Sequence, residues 1–293
     1  MPEGRIIKAL SGFYYVQSDG KIYQCKGRGV FRNQNITPLV GDFVRFNINE
    51  ENEGYIMEVK GRKNELIRPP VANIDQAIIV SSIYSPEFSP LLLDRFLVLV
   101  ESKGIQPVIF ITKIDMLKDD DRPKIEAYRT QYEKIGYTVK LLSIKEQQSI
   151  AEIKDLFKNK VSVIAGQSGV GKSSLLNALE PTLFLETGEV SESLGRGKHT
   201  TRHVEFLEIH GGLVADTPGF SSLQFDWIEA EDLDEYFPEM RERIGLCKFR
   251  GCMHDKEPGC AVKQAVTDGD ITEFRYEHYL KFLEEIKSRK PRY

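Results

Sequence analysis

No stretch of this 293-residue chain approaches the ~18 consecutive apolar residues of a membrane-spanning helix. No contact with a membrane is therefore expected. The longest apolar segments, such as Ala77 to Val80 and Val161 to Ala165, read as buried strands instead. The opening Met-Pro-Glu-Gly lacks the charged-then-apolar layout of a secretory signal, so a cytoplasmic protein is expected. Cysteine is scarce, with four in the whole chain. Three of them, Cys247, Cys252 and Cys260, crowd into fourteen residues, and Cys25 stands alone in a strand, where it is expected simply to pack. A disulfide framework needs pairs spread through a secreted chain; this clustering points to a metal in a reducing compartment. Positive charge is not in excess: 40 Lys and Arg face 44 Asp and Glu, for a net charge of −4. A global basic field is excluded, and any nucleic-acid contact must come from local patches. Apolar residues are not lacking, and 41% of the chain suffices to build folded cores.

The length suggests two or three domains, with no internal repeat. Residues 1–68 look all-β. Short runs at Gly12 to Val16, Lys21 to Cys25, Asp42 to Ile48 and Gly54 to Val59 are separated by turn signals. About five short strands in this span suit an OB-fold barrel, with an SH3-like barrel as the alternative. Pro69-Pro70 reads as a linker. Residues 69–225 alternate apolar strands (Ile74 to Ile83, Pro107 to Ile111, Tyr137 to Leu142, Val161 to Ala165) with helices (Leu91 to Lys103, Arg122 to Ile135, Ser149 to Lys158). That alternation implies an α/β domain with a parallel sheet covered on both faces. Residues 226–293 turn helical and polar, hold the cysteine cluster, and end in a helix from Tyr276 to Lys287. They read as a third, small domain.

The segment Gly166-Gln167-Ser168-Gly169-Val170-Gly171-Lys172-Ser173, followed by Ser174, fits the P-loop pattern at every fixed position. It follows a strand and opens a helix, as a phosphate cradle requires: backbone N–H groups converge on the anion and the helix dipole assists. Lys172 is expected to neutralise the β- and γ-phosphates, and the Ser173 hydroxyl to ligate Mg²⁺. Some forty-five residues on, an apolar strand leads into Asp216-Thr217-Pro218-Gly219. There Asp216 suits Mg²⁺ and the Gly219 N–H the γ-phosphate, a switch II element. The glycine-rich loop Gly195 to Arg202 lies where switch I belongs, and Thr201, or failing that Thr200, supplies a further hydroxyl to Mg²⁺.

Thr112-Lys113-Ile114-Asp115 ends another strand. Asp115 suits the paired donors of a guanine edge, which adenine lacks. Lys113 would lie along the base, and Thr112 replaces the usual Asn. Ser143, after the next strand, would offer a backbone N–H to guanine O6. In conventional GTPases the guanine motif comes last; here it precedes the P-loop. A parallel sheet tolerates such relocated ends, and the new order runs switch II straight into the C-terminal domain, which would make the γ-phosphate a lever on it. Phe220 stands where a Gln would orient the attacking water. Intrinsic hydrolysis should be slow, with His199, or a partner acting in trans, aiding the water.

Cys247, Cys252, His254 and Cys260 make a Cys₃His set suited to one structural Zn²⁺, with no ligand position left for catalysis. Basic clusters sit nearby: Lys26, Arg28 and Arg32 in a barrel loop, Arg196, Lys198 and Arg202 in switch I, Lys248 and Arg250 among the metal ligands, and Arg289, Lys290 and Arg292 in the tail. With aromatic neighbours such as Phe31 and Phe249 they suit RNA.

The permuted order of these motifs, the Gly195-Arg-Gly-Lys-His-Thr-Thr run and the Cys₃His set resemble the ribosome small-subunit-dependent GTPase A (RsgA) family over nearly the whole chain. The resemblance implies an OB-fold, a circularly permuted GTPase domain and a zinc domain. It implies a GTPase that binds the small ribosomal subunit and its rRNA late in maturation, is stimulated by the subunit, and leaves on hydrolysis. It also implies that the histidine matching His199 is catalytic. The expected partners are GTP, GDP and the subunit, and the expected state is a monomer. The alternative is an RNA-binding assembly checkpoint in which GTP is mainly a conformational ligand.

Overall fold

A computed structural model describes residues 1–29, 31, 36–49, 53–67, 69–183, 204–216 and 223–289. The first five strands are β1 (Glu3–Leu10), β2 (Phe13–Ser18), β3 (Lys21–Gly27), β4 (Phe43–Ile48) and β5 (Gly54–Val59). They pair in the order β1-β2-β3-β5-β4, and β4 returns to β1, closing an OB-like barrel. Alternation along each strand sends Ile6, Val16, Cys25, Val44, Phe46 and Ile56 inward, where none keeps any accessible surface. Burial pushes the Cys25 thiol up to about 11, so this cysteine packs as a small apolar group. Pro69-Pro70 is a turn rather than a free linker. It joins β6 (Glu65–Leu66) to β7 (Val71–Ala72), and an isolated bridge from Val40 to Val71 ties the turn to the barrel.

The second part of the sheet contains β8 (Gln76–Ser82), β9 (Gln106–Thr112), β10 (Thr138–Leu142), β11 (Val161–Ala165), β12 (Val204–Ile209) and β13 (Gly212–Asp216), ordered β10-β9-β8-β11-β13-β12. All neighbours are parallel except the β12–β13 hairpin. The helices α1 (Pro90–Glu101) and α2 (Arg122–Ile135) connect the first strands, α3 (Gln147–Ala151) follows β10, and α4 (Lys172–Leu179) follows β11. The helix expected over 149–158 is broken: α3 ends at Ala151 and a 3₁₀ turn covers Lys154–Leu156. Backbone bonds such as Leu156 N–H to Ile153 O reach back three residues. The tighter winding buries both Ile153 and Phe157, and Gln76 Nε2 donates to Leu156 O at 2.8 Å.

The barrel and the nucleotide-type sheet are one ladder of eleven strands. The first half of β1 pairs with β4, while Lys8 and Ala9, beyond a register shift, pair with Glu205 and Val204 of β12. Glu205 lies opposite Asp216 on its other side, so Lys8, Glu205 and Asp216 form one row across three strands. A 2.6 Å ion pair joins Lys8 to Glu205.

After a 3₁₀ segment, Ala230–Tyr236, the C-terminal region folds as α5 (Pro238–Arg241), α6 (Ala261–Thr267) and α7 (Glu273–Lys287). Its core contains Phe225, Ile228, Phe237, Tyr279 and Phe282 together with Val98 and Leu99 of α1. That shared core explains why α1 is apolar nearly all round. One side faces the sheet and the other faces α7.

Candidate functional site

Gly166 leaves β11 at φ 142°, a conformation that disfavours side chains, and a Cβ there would sit 2.2 Å from Val80 O. Gly171, at φ 97°, caps the start of α4. Lys172 is the first residue of that helix, and its Nζ donates to Gly166 O at 2.9 Å and Gln167 O at 2.6 Å. Burial without a carboxylate partner lowers the pKa of this amine. The carbonyl oxygens around it solvate the charge incompletely, and an anion at the loop would supply what is missing.

The motif ending β9 is joined to the P-loop by direct bonds. Thr112 is fully buried, and its hydroxyl donates to Val170 O at 2.8 Å. A hydroxyl thus bridges to the loop where the usual residue is an amide. Lys113, at φ 64°, donates to Gly169 O at 3.0 Å and to Tyr84 O at 3.1 Å, and also bonds Ser85 O. Asp115 points its carboxylate between Ser143 Oγ at 3.1 Å and Lys145 Nζ at 2.6 Å. The Lys145 bond outweighs a small opposing desolvation, Ser143 adds to it, and the carboxyl is held below the usual carboxylate range. Ser143 therefore meets Asp115 through its side chain, a contact different from the backbone role read from the sequence. Lys145 enters the site only through the fold; its signal in sequence, a lysine two residues beyond Ser143, is too slight to mark it.

Asp216 ends β13, next to the P-loop strand β11 in the sheet. Thr200, Thr201, His199, Gly219 and Phe220 lie outside the described residues.

The Cys₃His set converges. The ligand atoms of Cys247, Cys252, His254 and Cys260 all lie within 4.8 Å of one another. Cys247 Sγ to Cys260 Sγ is 3.9 Å, close to the edge of about 3.8 Å for a tetrahedron with metal–sulfur bonds of about 2.3 Å. His254 Nδ1 lies 3.6 Å from Cys247 Sγ and 3.2 Å from Cys260 Sγ, which turns Nδ1 toward the cluster. Its Nε2 meets Asp234 Oδ2 at 3.0 Å. A carboxylate on the outer nitrogen of a ligating histidine fixes its tautomer and raises its basicity. Backbone N–H groups of Ala261 and Lys263 donate to Cys247 and Cys260 sulfurs. The donor set fits one tetrahedral metal.

The protein-family comparison matches a model described as RsgA GTPase over residues 59–226 and one described as RsgA N-terminal domain over 3–56. The chain belongs to the RsgA GTPase family. One curated relative, the small ribosomal subunit biogenesis GTPase RsgA 2 of Oceanobacillus iheyensis, is 67% identical over 293 residues, covering 100% of both chains. The small ribosomal subunit biogenesis GTPase RsgA of Bacillus subtilis is 60% identical over 298 residues, again covering 100% of both. Among solved structures, YloQ, described as a circularly permuted GTPase, matches with TM-score 0.86 and 56% identity, covering 100% of this chain and 97% of that one. YjeQ from Thermotoga maritima matches with TM-score 0.88 and 39% identity, covering 99% of each. The Thr112–Asp115 turn precedes the P-loop in sequence yet is bonded to it in space, the RsgA arrangement of a circularly permuted GTPase. The OB-like barrel and the Cys/His cluster complete that architecture.

Within this RsgA chain the local cationic clusters divide. Phe31 is buried in the barrel and offers no stacking face. Phe249 is exposed, with Lys248 Nζ 5.6 Å from its ring centroid. Lys26 is pinned by Glu53 at 3.2 Å and lies over Phe13. Lys290 and Arg292 lie outside the described residues. Among the described residues no helix is long and apolar enough to cross a membrane.

Proposed function

We propose that this chain binds GTP and GDP in the cleft between the P-loop and the Thr112–Asp115 turn, and that it hydrolyses GTP in the late maturation of the small ribosomal subunit. One observation carries the nucleotide reading. Thr112 and Lys113 are bonded to the carbonyls of Val170 and Gly169, so the turn that would read the purine and the phosphate loop are tied directly together. In this reading Asp115 accepts two hydrogen bonds from guanine, with Lys113 along the base and Ser143 and Lys145 keeping its carboxylate ionised. The backbone from Gly166 through Gln167, Ser168, Gly169, Val170 and Gly171 to Lys172, Ser173 and Ser174 wraps the phosphates, and Lys172 neutralises them. Ser173, Thr201 and Asp216 hold Mg²⁺, which supplies charge neutralisation at the transferring phosphoryl group. Gly219 senses the γ-phosphate, and His199 serves the attacking water in place of the glutamine that Phe220 displaces.

Cys247, Cys252, His254 and Cys260 hold a structural zinc. The working division is 1–68 for the barrel, 69–225 for the permuted GTPase and 226–293 for the metal-binding helical region. Exposed Phe249 with Lys248 and Arg250 suits ribosomal RNA, and the chain acts as a cytoplasmic monomer.

The decisive assay compares GTP turnover with and without small subunits. Stimulation of a hundredfold or more, on the order that trans-acting groups supply, is the expected result. No stimulation would favour a checkpoint module that uses GTP only as a conformational ligand. Base recognition has its own test. Asp115→Asn removes charge-assisted bonds worth about 1.5–3 kcal/mol each. GTP affinity should fall by about a hundredfold and xanthine nucleotide should gain. Competition binding that ranks the bases as in the wild type would remove Asp115 from the site.

A further inference from the structure

The outer face of the barrel carries a cavity that the nucleotide site does not use. Along β3, Cys25 is buried in the core, while Gln24 is exposed and Lys26 is half-buried. The register sets Phe13 of β2 opposite Lys26 on one side and Tyr55 of β5 opposite it on the other, and places Tyr15 opposite Gln24. Residues directly opposite share a face, so two outward rows result, Phe13–Lys26–Tyr55 and Tyr15–Gln24. On this face lies a cavity of about 220 Å³, lined by Phe13, Gln24, Lys26, Glu53 and Gly54. It is smaller than the roughly 300–1,000 Å³ of sites for drug-sized ligands, and suits a single ring system.

The polar groups define that ring. Lys26 Nζ donates to both carboxylate oxygens of Glu53, at 3.2 and 3.4 Å, and lies 5.6 Å from the centroid of the Phe13 ring. Ammonium and carboxylate cancel, so the cavity offers a phosphate group little. A flat base with a polar edge fits better. Both charged groups are exposed, and such a pair is weak enough to open for a ligand that serves each partner. An aromatic wall stacks on any base. A carboxylate beside an ammonium selects donors beside an acceptor. Among the four RNA bases, guanine presents two adjacent N–H donors, N1–H and the 2-amino group, next to its O6 acceptor. Gln24 adds an amide with a donor and an acceptor at the rim.

We infer that this barrel cavity binds one unpaired guanine of RNA. Phe13 forms the stacking wall, Glu53 accepts from N1–H and the amino group, and Lys26 donates to O6. The inference deepens the RNA part of the proposed function and rests on that reading for its ligand. It adds a base-reading contact on the barrel, separate from Phe249 and Lys248 beside the metal cluster.

The test uses the full-length protein saturated with GDP, so that the nucleotide cleft is filled. Fluorescence anisotropy follows labelled hexauridine and hexamers carrying one central guanosine, adenosine, cytidine or inosine. The guanosine hexamer should bind about tenfold tighter than hexauridine, the discrimination of one good bidentate pair. Inosine lacks the 2-amino group and should give back about threefold. Glu53→Gln should bring the guanosine hexamer to within about twofold of hexauridine. Phe13→Leu should weaken every hexamer about fivefold, because stacking is blind to base identity. Phe249→Ala should leave the guanosine preference intact. Equal binding of all hexamers, a preference that survives Glu53→Gln, or one lost with Phe249→Ala overturns the inference. Should Phe13→Leu fail to fold, the surface variant Lys26→Gln decides: an unchanged guanosine preference overturns it. Displacement of the hexamer by an equal concentration of GMP would assign the cavity to free nucleotide and overturn the RNA assignment. Subunit-stimulated GTP turnover is measured beside it. Hexamer discrimination without stimulation removes the ribosomal reading and leaves the cavity's ligand standing; stimulation without discrimination does the reverse.

Discussion

Lys172→Ala should lower GTP turnover by about a thousandfold, the cost of deleting a preorganised charge at a transferring phosphoryl group. The local electrostatics give the reason. The amine is drawn into the loop by the carbonyls of Gly166 and Gln167, and burial lowers its pKa because no carboxylate compensates it. The free protein thus holds a cation that is better stabilised with an anion present, and phosphate binding draws on that difference. Alanine removes both the charge and the differential. Triphosphate should lose more affinity than diphosphate, since the γ-phosphate carries the charge that the amine meets last. Titration calorimetry with GDP and a non-hydrolysable GTP analogue, beside single-turnover hydrolysis, reads both effects. Turnover within a few-fold of wild type would take the phosphate chemistry away from this loop.

The second large effect is expected at the metal cluster. Cys252→Ser replaces a thiolate with a hydroxyl that binds zinc poorly, and structural zinc contributes on the order of 10 kcal/mol to domains of this kind. Metal content should drop well below one equivalent, and the C-terminal region should melt. The damage should not stay there. Val98 and Leu99 belong to the same core as Phe225, Ile228 and Phe282, and buried Arg275 would lose the frame that holds it against Asp94. Melting of this region therefore exposes the outer face of α1, and GDP affinity should decline with it. Elemental analysis showing full zinc occupancy, or a melting curve unchanged from wild type, would argue that Cys252 is not a ligand. Asp234→Asn offers a gentler check, since it keeps all four ligands and weakens only the outer bond to His254.

The residues recognisable in sequence were those whose chemistry is local. The P-loop needs its glycines and lysine at fixed spacing along one turn, and the Thr112–Asp115 turn follows a strand end, so both are legible from the order of residues alone. Four of the five barrel strands are legible as short apolar or aromatic runs between turn signals, whereas β1 is not named by any such run. The missed groups are partners across space. Asp234 lies twenty residues before His254, and Arg95 lies 128 before Leu223 and 190 before Glu285. Nothing in their neighbours along the chain marks them. Lys145 looked like one of many solvated lysines until β9 and β10 set it against Asp115. The segment after Glu146 is a subtler case: one helix over Ser149 to Lys158 is expected, but apolar residues three and four apart fit both an α-helix and a tighter winding, and the Leu156 carbonyl is held by Gln76. The apolar face of α1 was visible in sequence, while the reason for its second apolar side, a shared core with α7, was not.

The strand Glu3–Leu10 has to satisfy two neighbours that are synthesised far apart. Its early residues find β4 as soon as about sixty residues have left the ribosome, whereas Lys8 and Ala9 have no partner on that side until residues 204–205 emerge. At elongation rates of about 5–20 residues per second, that half-edge stays open for roughly 7–30 seconds. Lysine at the open position is the kind of residue that discourages a stray strand from docking there. In the folded protein the same lysine pairs with Glu205 across that seam, so the charge that suits an open edge becomes a cross-strand ion pair once the sheet is complete.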